Sequence, residues 1–182
     1  AREKRNANSV GRTLADRAKQ GNFRYYGTVG VGKDRGLDSV RELYAGVVLA
    51  VGAGSDRAIG IPGEDKKGVF GSATFVNWYN GHPDFRDLDP DLNVKGVVVL
   101  GNGNVAIDVA RVLVKTPGEM AATDLPDYAA DPIQASILSD VYMVGRRGPN
   151  EAKYTNVELR EMGHLENCVP QIEAAQLPES VE

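Results

Sequence analysis

The chain holds one cysteine, Cys168, among 182 residues, so it can form neither an intrachain disulfide nor a Cys-x-x-Cys redox or metal pair. Histidine is nearly as scarce. His82 and His164 have no second ligand or nucleophile at a spacing used by metal sites or catalytic triads, and no metal site is expected. No apolar run approaches the roughly 18 to 20 residues of a membrane span, and the opening Ala1-Arg2-Glu3-Lys4-Arg5 lacks the apolar core of a secretory signal. Positive charge is short as well. The 21 Lys and Arg residues against 25 Asp and Glu leave a formal net charge of -4, which gives no general attraction to nucleic acid or an anionic membrane. What is present is ordinary for a folded protein: 42% hydrophobic and 25% charged residues, on a chain long enough for one domain or one plus part of another. Redox chemistry on such a chain has to come from a bound cofactor, and the lone thiol suits a reducing compartment.

Residues 1 to 20 read as an exposed, peripheral helix with a weak apolar stripe. Phe23 to Tyr26 suggests a short strand breaking into glycine turns, and Leu37 to Tyr44 a short helix. Gly46-Val47-Val48-Leu49-Ala50-Val51-Gly52 is a continuous apolar run bounded by glycines, the pattern of a parallel strand covered on both faces. Ile61-Pro62-Gly63-Glu64 is a turn, Ser72 to Asn80 an aromatic-rich helix, and Gly81 to Asn93 a polar loop. A βαβ unit follows, with a buried strand Val97–Leu100, a helix Asn104–Val114, a second short helix Asp127–Leu138 and a strand Val141–Val144. Thr155, with Glu158 three residues on, then has the form of a capping box opening a helix to about Met162. The expected fold class is α/β: a Rossmann-like domain with a parallel sheet.

Three glycine clusters compete for the role of phosphate cradle. Gly27-Thr28-Val29-Gly30-Val31-Gly32-Lys33 has P-loop spacing, but Asp34 stands where Ser or Thr should ligate Mg²⁺, and its carboxylate would repel a triphosphate. It reads as a structural turn. Gly52-Ala53-Gly54-Ser55-Asp56-Arg57 follows a strand-like run, but Arg57 occupies the position where a small residue must let the helix pack on the strand. Gly101-Asn102-Gly103-Asn104-Val105-Ala106 has every part in order. Gly101 allows the tight turn, Gly103 lets the backbone approach a pyrophosphate, Ala106 permits close packing, and the following helix offers free N–H groups and its positive dipole. This is the expected dinucleotide cradle.

An acidic residue ending the second strand would bind the ribose hydroxyls of NAD, whereas arginine suits the 2′-phosphate of NADP. Here the strand ends in Val144-Gly145-Arg146-Arg147-Gly148-Pro149, and two adjacent guanidiniums are planar, permanently charged forks for phosphate. NADPH is therefore the expected cofactor, with Arg146 and Arg147 as its 2′-phosphate clamp. The second strand lies about 40 residues beyond the first glycine rather than about 20, which the extra helix in the crossover accommodates. Trp78 and Tyr79 are read as packing residues and Cys168 as buried and inert.

With these residues in view, the sequence resembles the adrenodoxin reductase family, which includes bacterial ferredoxin–NADP reductases of the same flavoprotein fold. The resemblance rests on Val47 to Ala53, Ile61-Pro62-Gly63-Glu64, Phe75 to Pro83 (FVNWYNGHP), Gly101 to Arg111 (GNGNVAIDVAR), Val144 to Pro149 (VGRRGP) and Thr155 to Glu161. It implies an FAD enzyme that accepts hydride from NADPH and passes single electrons to a ferredoxin-type iron–sulfur protein, in the bacterial cytoplasm or the mitochondrial matrix. It also implies that Asn104 and Val105 contact the dinucleotide, that Glu158 contacts the nicotinamide ribose side, and that Glu161 lies near the nicotinamide and flavin and assists proton movement. Gly52 joins the cofactor-binding set on its own residues, as a strand end that touches a cofactor without being its pyrophosphate cradle. The family's opening FAD turn and its closing flavin segment are not matched, so the expectation is part of a larger reductase, with residues 1–58 from the FAD-binding domain and 59–182 an incomplete NADP-binding domain. On sequence alone two alternatives remain: a flavin subunit serving glutamate synthase, and a truncated, non-catalytic NADP-binding paralogue with a structural role.

Overall fold

A computed structural model describes residues 11–177, which divide into two compact units between Gly54 and Ser55. In the first unit residues 11–18 are helical (α1), and α2 spans Leu37–Leu43, at the expected place. Positions 1–10 of the expected peripheral helix lie outside the described residues. No residue from 11 to 54 is buried. The strands expected at Phe23–Tyr26 and Gly46–Gly52 are not formed, and Val48 and Val51 are 91% and 84% exposed. An apolar strand of this type is held by neighbours on its edges and layers on its faces, and this unit supplies neither. The glycine turn beside them is self-contained, because the Asp34 carboxylate accepts the Gly30 N–H at 2.7 Å and so takes an amide that a phosphate would need.

The second unit opens on two carboxylates that organise backbone. Glu64 accepts the N–H groups of Ile59 and Gly60, both at 2.7 Å, which closes the Ile-Pro-Gly-Glu turn and holds its carboxyl below the ordinary value. Asp56 accepts from Ala73 N–H at 2.6 Å and from Thr74 N–H at 3.0 Å, and so caps α3 (Ser72–Tyr79) from a distant part of the chain. Gly71 makes room for it: a Cβ there would lie 2.0 Å from the Asp56 Cγ. Partial burial works to raise the Asp56 pKa, but the bonds from the Thr74 side chain and the two amides outweigh it and lower it.

The FVNWYNGHP segment is explained by packing. Phe75, Trp78 and Tyr79 share one face of α3 at helical spacing and are buried, with Trp78 and Ile107 the largest side chains fully enclosed. Gly81, at φ 81°, turns the chain out of the helix, and His82 accepts the Asp84 N–H through Nδ1 ahead of Pro83. His82 is thereby a capping residue.

Strand β1 (Gly96–Leu100) leads into α4 (Asn104–Val114), α5 (Pro117–Met120), α6 (Asp127–Gln134), β2 (Asp140–Val144) and α7 (Asn156–Met162). The two strands are parallel and paired in register from Gly96 with Asp140 to Leu100 with Val144. Helix α6 stops short of the expected Leu138 because Ser139 and Asp140 donate their N–H groups to the Lys95 carbonyl, which draws the chain into the sheet. Apolar positions of α4 (Val109, Val112, Leu113) join Trp78, Ala129 and Ile133 in the core, against Val97, Val99 and Val141 of the sheet. The sheet is covered on one face only. Val98, Leu100, Tyr142 and Val144 alternate onto the other and are at least half exposed, so the buried strand expected at Val97–Leu100 is covered on one face and open on the other.

Candidate nucleotide-binding site

The carboxyl ends of two parallel strands flank the glycine turn. Gly101 donates its N–H to the Val144 carbonyl at 2.9 Å, which brings the turn after β1 beside the loop after β2. A Cβ on Gly101 would lie 3.3 Å from the Ala106 Cβ, so both positions need small residues for α4 to leave the strand so abruptly. Gly103 differs. Its backbone is extended, and an added Cβ would meet only the Lys153 Cβ at 3.9 Å, an ordinary contact. The fold would accept a side chain there, and what its absence preserves is open space in front of α4. No side chain caps that helix at Gly103, so its first-turn N–H groups remain available to an anion.

The loop after β2 is fastened to the same turn twice. A Cβ on Gly145 would lie 2.8 Å from the Asn102 Cβ, so only glycine fits there, and at the far end Lys153 donates its N–H to the Asn102 carbonyl at 2.8 Å. Gly103 and Lys153 also form an isolated parallel bridge. Between these fastenings Arg146 and Arg147 face a cavity of about 270 Å³ lined from the turn by Gly101, Asn102 and Gly103. Glu151 and Lys153 complete its wall. With three cations against one carboxylate, the chemistry of the cavity favours phosphate.

The glycine turn and the arginine pair that the sequence singles out line one cavity. Sequence reasoning missed Glu151 and Lys153, whose place depends on the bridge to Gly103. Val105 is exposed on the first turn of α4, next to the cavity. Asn104 turns its side chain to the protein: Oδ1 accepts the Thr155 N–H at 2.8 Å and so ties the start of α7 to the start of α4. The expected capping box is half formed, since Thr155 Oγ1 accepts the Glu158 N–H at 3.3 Å while its own amide goes to Asn104. Gly52, at φ 64°, lies in the first unit.

Glu158 and Glu161 do not line the cavity. Both carboxylates meet the buried Arg111 of α4: Glu158 Oε2 is 2.8 Å from Nη1, and Glu161 accepts a short hydrogen bond from the same nitrogen. Asp108 completes the cluster, accepting from Arg111 Nη2 at 3.0 Å and from the Tyr79 hydroxyl at 2.8 Å. Burial alone would lower the Arg111 pKa, but the Asp108 bond and the charges of Glu158, Asp108 and Glu161 raise it above its ordinary value. This cluster links α3, α4 and α7. Cys168 is half-buried rather than buried, and burial followed by the charge of Glu119 pushes its thiol pKa up, away from the reactive thiolate.

Parallel strands with a cavity at their carboxyl ends, a small-residue turn into a helix N-terminus and an arginine pair on the second strand's exit are the parts of an α/β Rossmann-like unit. No protein-family model matches the sequence. Among curated proteins, the chain is 42% identical over 169 residues to "NADPH-ferredoxin reductase FprA" of Mycobacterium leprae, covering 93% of this chain and 37% of that protein. It is 46% identical over 144 residues to "NADPH:adrenodoxin oxidoreductase, mitochondrial" of Arabidopsis thaliana, covering 79% of this chain and 30% of that protein. A solved structure, "Mycobacterium tuberculosis FprA in complex with NADPH", is similar over 87% of this chain and 35% of that one, at 43% identity and a TM-score of 0.82. The chain belongs to the adrenodoxin reductase family and spans about a third of the length of the curated relatives it matches. Among the described residues no helix is long and apolar enough to cross a membrane.

Proposed function

We propose that this chain carries the NADPH-accepting part of a flavoprotein reductase that moves electrons from NADPH, through FAD, to a ferredoxin-type iron–sulfur protein. The observation that carries the reading is the single cavity shared by the Gly101–Gly103 turn and the Arg146–Arg147 pair. NADPH fits the residues present. The space left by the missing Gly103 side chain and the uncapped α4 amides suits a pyrophosphate, and two guanidiniums suit a 2′-phosphate. The nicotinamide, when bound, supplies the hydride; the chain's own part is to hold the two phosphate groups so that the ring is presented in one orientation. Glu158 and Glu161 are assigned to the nicotinamide side, with Arg111 fixing their carboxylates. Flavin does not fit in the same way: the run before Gly52 is irregular and exposed, and no step is derived through FAD from these residues. A bacterial cytoplasm or mitochondrial matrix suits such a reductase.

The test is to replace Arg146 and Arg147 by alanine, singly and together, and titrate the purified protein with NADPH and NADH. Each lost charge-assisted hydrogen bond costs about 1.5–3 kcal/mol, so NADPH binding should weaken about tenfold or more per arginine while NADH binding holds. Unchanged NADPH affinity in the double variant would sink the assignment. Ferredoxin-dependent cytochrome reduction by the whole protein tests the electron acceptor separately.

A further inference from the structure

We infer that Lys153 is a third cofactor-binding cation, directed at the pyrophosphate rather than at the 2′-phosphate, and that the site reads its ligand through two limbs with separate tasks. The inference rests on the NADPH reading and deepens it. The loop between β2 and α7 meets the glycine turn at both ends. At one end Gly145 packs on the Asn102 side chain, immediately before the two arginines; at the other the Lys153 N–H bonds to the Asn102 carbonyl at 2.8 Å. Arg146 and Arg147 therefore stand where the chain leaves the sheet, while Lys153 stands where it returns, bridged to Gly103 itself. Its Cβ lies 3.9 Å from the point a Gly103 Cβ would occupy, so the lysine stem starts at the edge of the space a pyrophosphate requires.

The residue type agrees with this placement. A lysine ammonium is a compact charge on a flexible stem, suited to the several oxygens of a diphosphate, whereas the planar forks of arginine suit a terminal phosphate group. Among the described residues no carboxylate is paired with the Lys153 ammonium. The side chain is exposed and its anchoring bonds are made by the backbone, so truncating it leaves the fold's own contacts in place. Both NADPH and NADH carry the pyrophosphate, and only NADPH carries the 2′-phosphate.

The experiment measures Kd for both nucleotides by fluorescence titration of the purified protein and its Lys153→Ala and Lys153→Arg variants. The expected result is a loss of roughly tenfold for NADPH and the same factor for NADH in Lys153→Ala, with the NADPH/NADH ratio unchanged and most of the affinity restored in Lys153→Arg. A loss confined to NADPH would place Lys153 in the 2′-phosphate clamp and overturn the inference. So would the absence of any loss. If the unsubstituted protein bound neither nucleotide, the NADPH reading itself would fail, which is a different outcome from either.

Discussion

Replacing Arg111 by methionine should be the most damaging single substitution in the second unit. Methionine approximates the arginine stem in volume, so the change removes charge and hydrogen bonds more than packing. It leaves Asp108 buried beside the Tyr79 hydroxyl and exposes Glu158 and Glu161 to each other with no cation between them. Removing one partner from a buried ion pair costs about 3–5 kcal/mol, because the remaining charge keeps its desolvation penalty without its compensation. At about 4 °C per kcal/mol for a unit of this size, Tm should fall by about 12–20 °C. Differential scanning calorimetry reads this directly. The mechanism is tested by adding Glu158→Gln and Glu161→Gln to Arg111→Met: if uncompensated carboxylates carry the cost, the triple variant should regain at least half of the lost Tm. A single variant that loses less than about 1 kcal/mol would show that water screens the cluster like a surface pair and would refute the reasoning.

Gly71→Ala should force the Asp56 carboxylate off the amides of α3 and cost about 1 kcal/mol, as losing an N-cap does, measurable by urea denaturation. The same carboxylate predicts a pH dependence. Its folded pKa is lowered, so its stabilisation is fully present above the unfolded carboxyl value of 3.8 and is lost as pH falls from there through the folded value. Asp56→Asn should flatten that acid limb, and an unchanged limb would assign it to other groups. Gly103→Ala should leave Tm nearly unaltered yet weaken NADPH by about tenfold, since the fold accepts the Cβ and the pyrophosphate space does not; a large drop in Tm would contradict the contact geometry.

The βαβ unit was legible because its signals are local. A buried stripe at helical spacing, a glycine turn and an apolar strand each announce themselves within a few residues, and α4 begins and ends where Asn104 and Val114 suggested. The arginine pair stood out because its position relative to a strand end carries meaning. What escaped is long-range. Asp56 caps a helix 17 residues away, Arg111 collects two carboxylates from α7, and Lys153 reaches the site through a bridge to Gly103. The run at Gly46–Gly52 shows the opposite failure. Its strand pattern is strong, but pattern records only what a segment can become when neighbours cover it, and in its own unit it stays irregular.

The double fastening of the β2–α7 loop to Asn102 bears on how cofactor preference could be re-engineered. Because Gly145 and Lys153 anchor the loop through contacts that do not involve the guanidiniums, the two arginines are passengers on a frame that holds its shape without them. Exchanging them for an acidic residue, to favour a ribose hydroxyl, changes what the loop says without changing where it stands. Asn102 holds the two fastenings through different atoms, its side chain against Gly145 and its backbone carbonyl to the Lys153 N–H, so a substitution there would act on the arginine end of the loop and leave the Lys153 end tied.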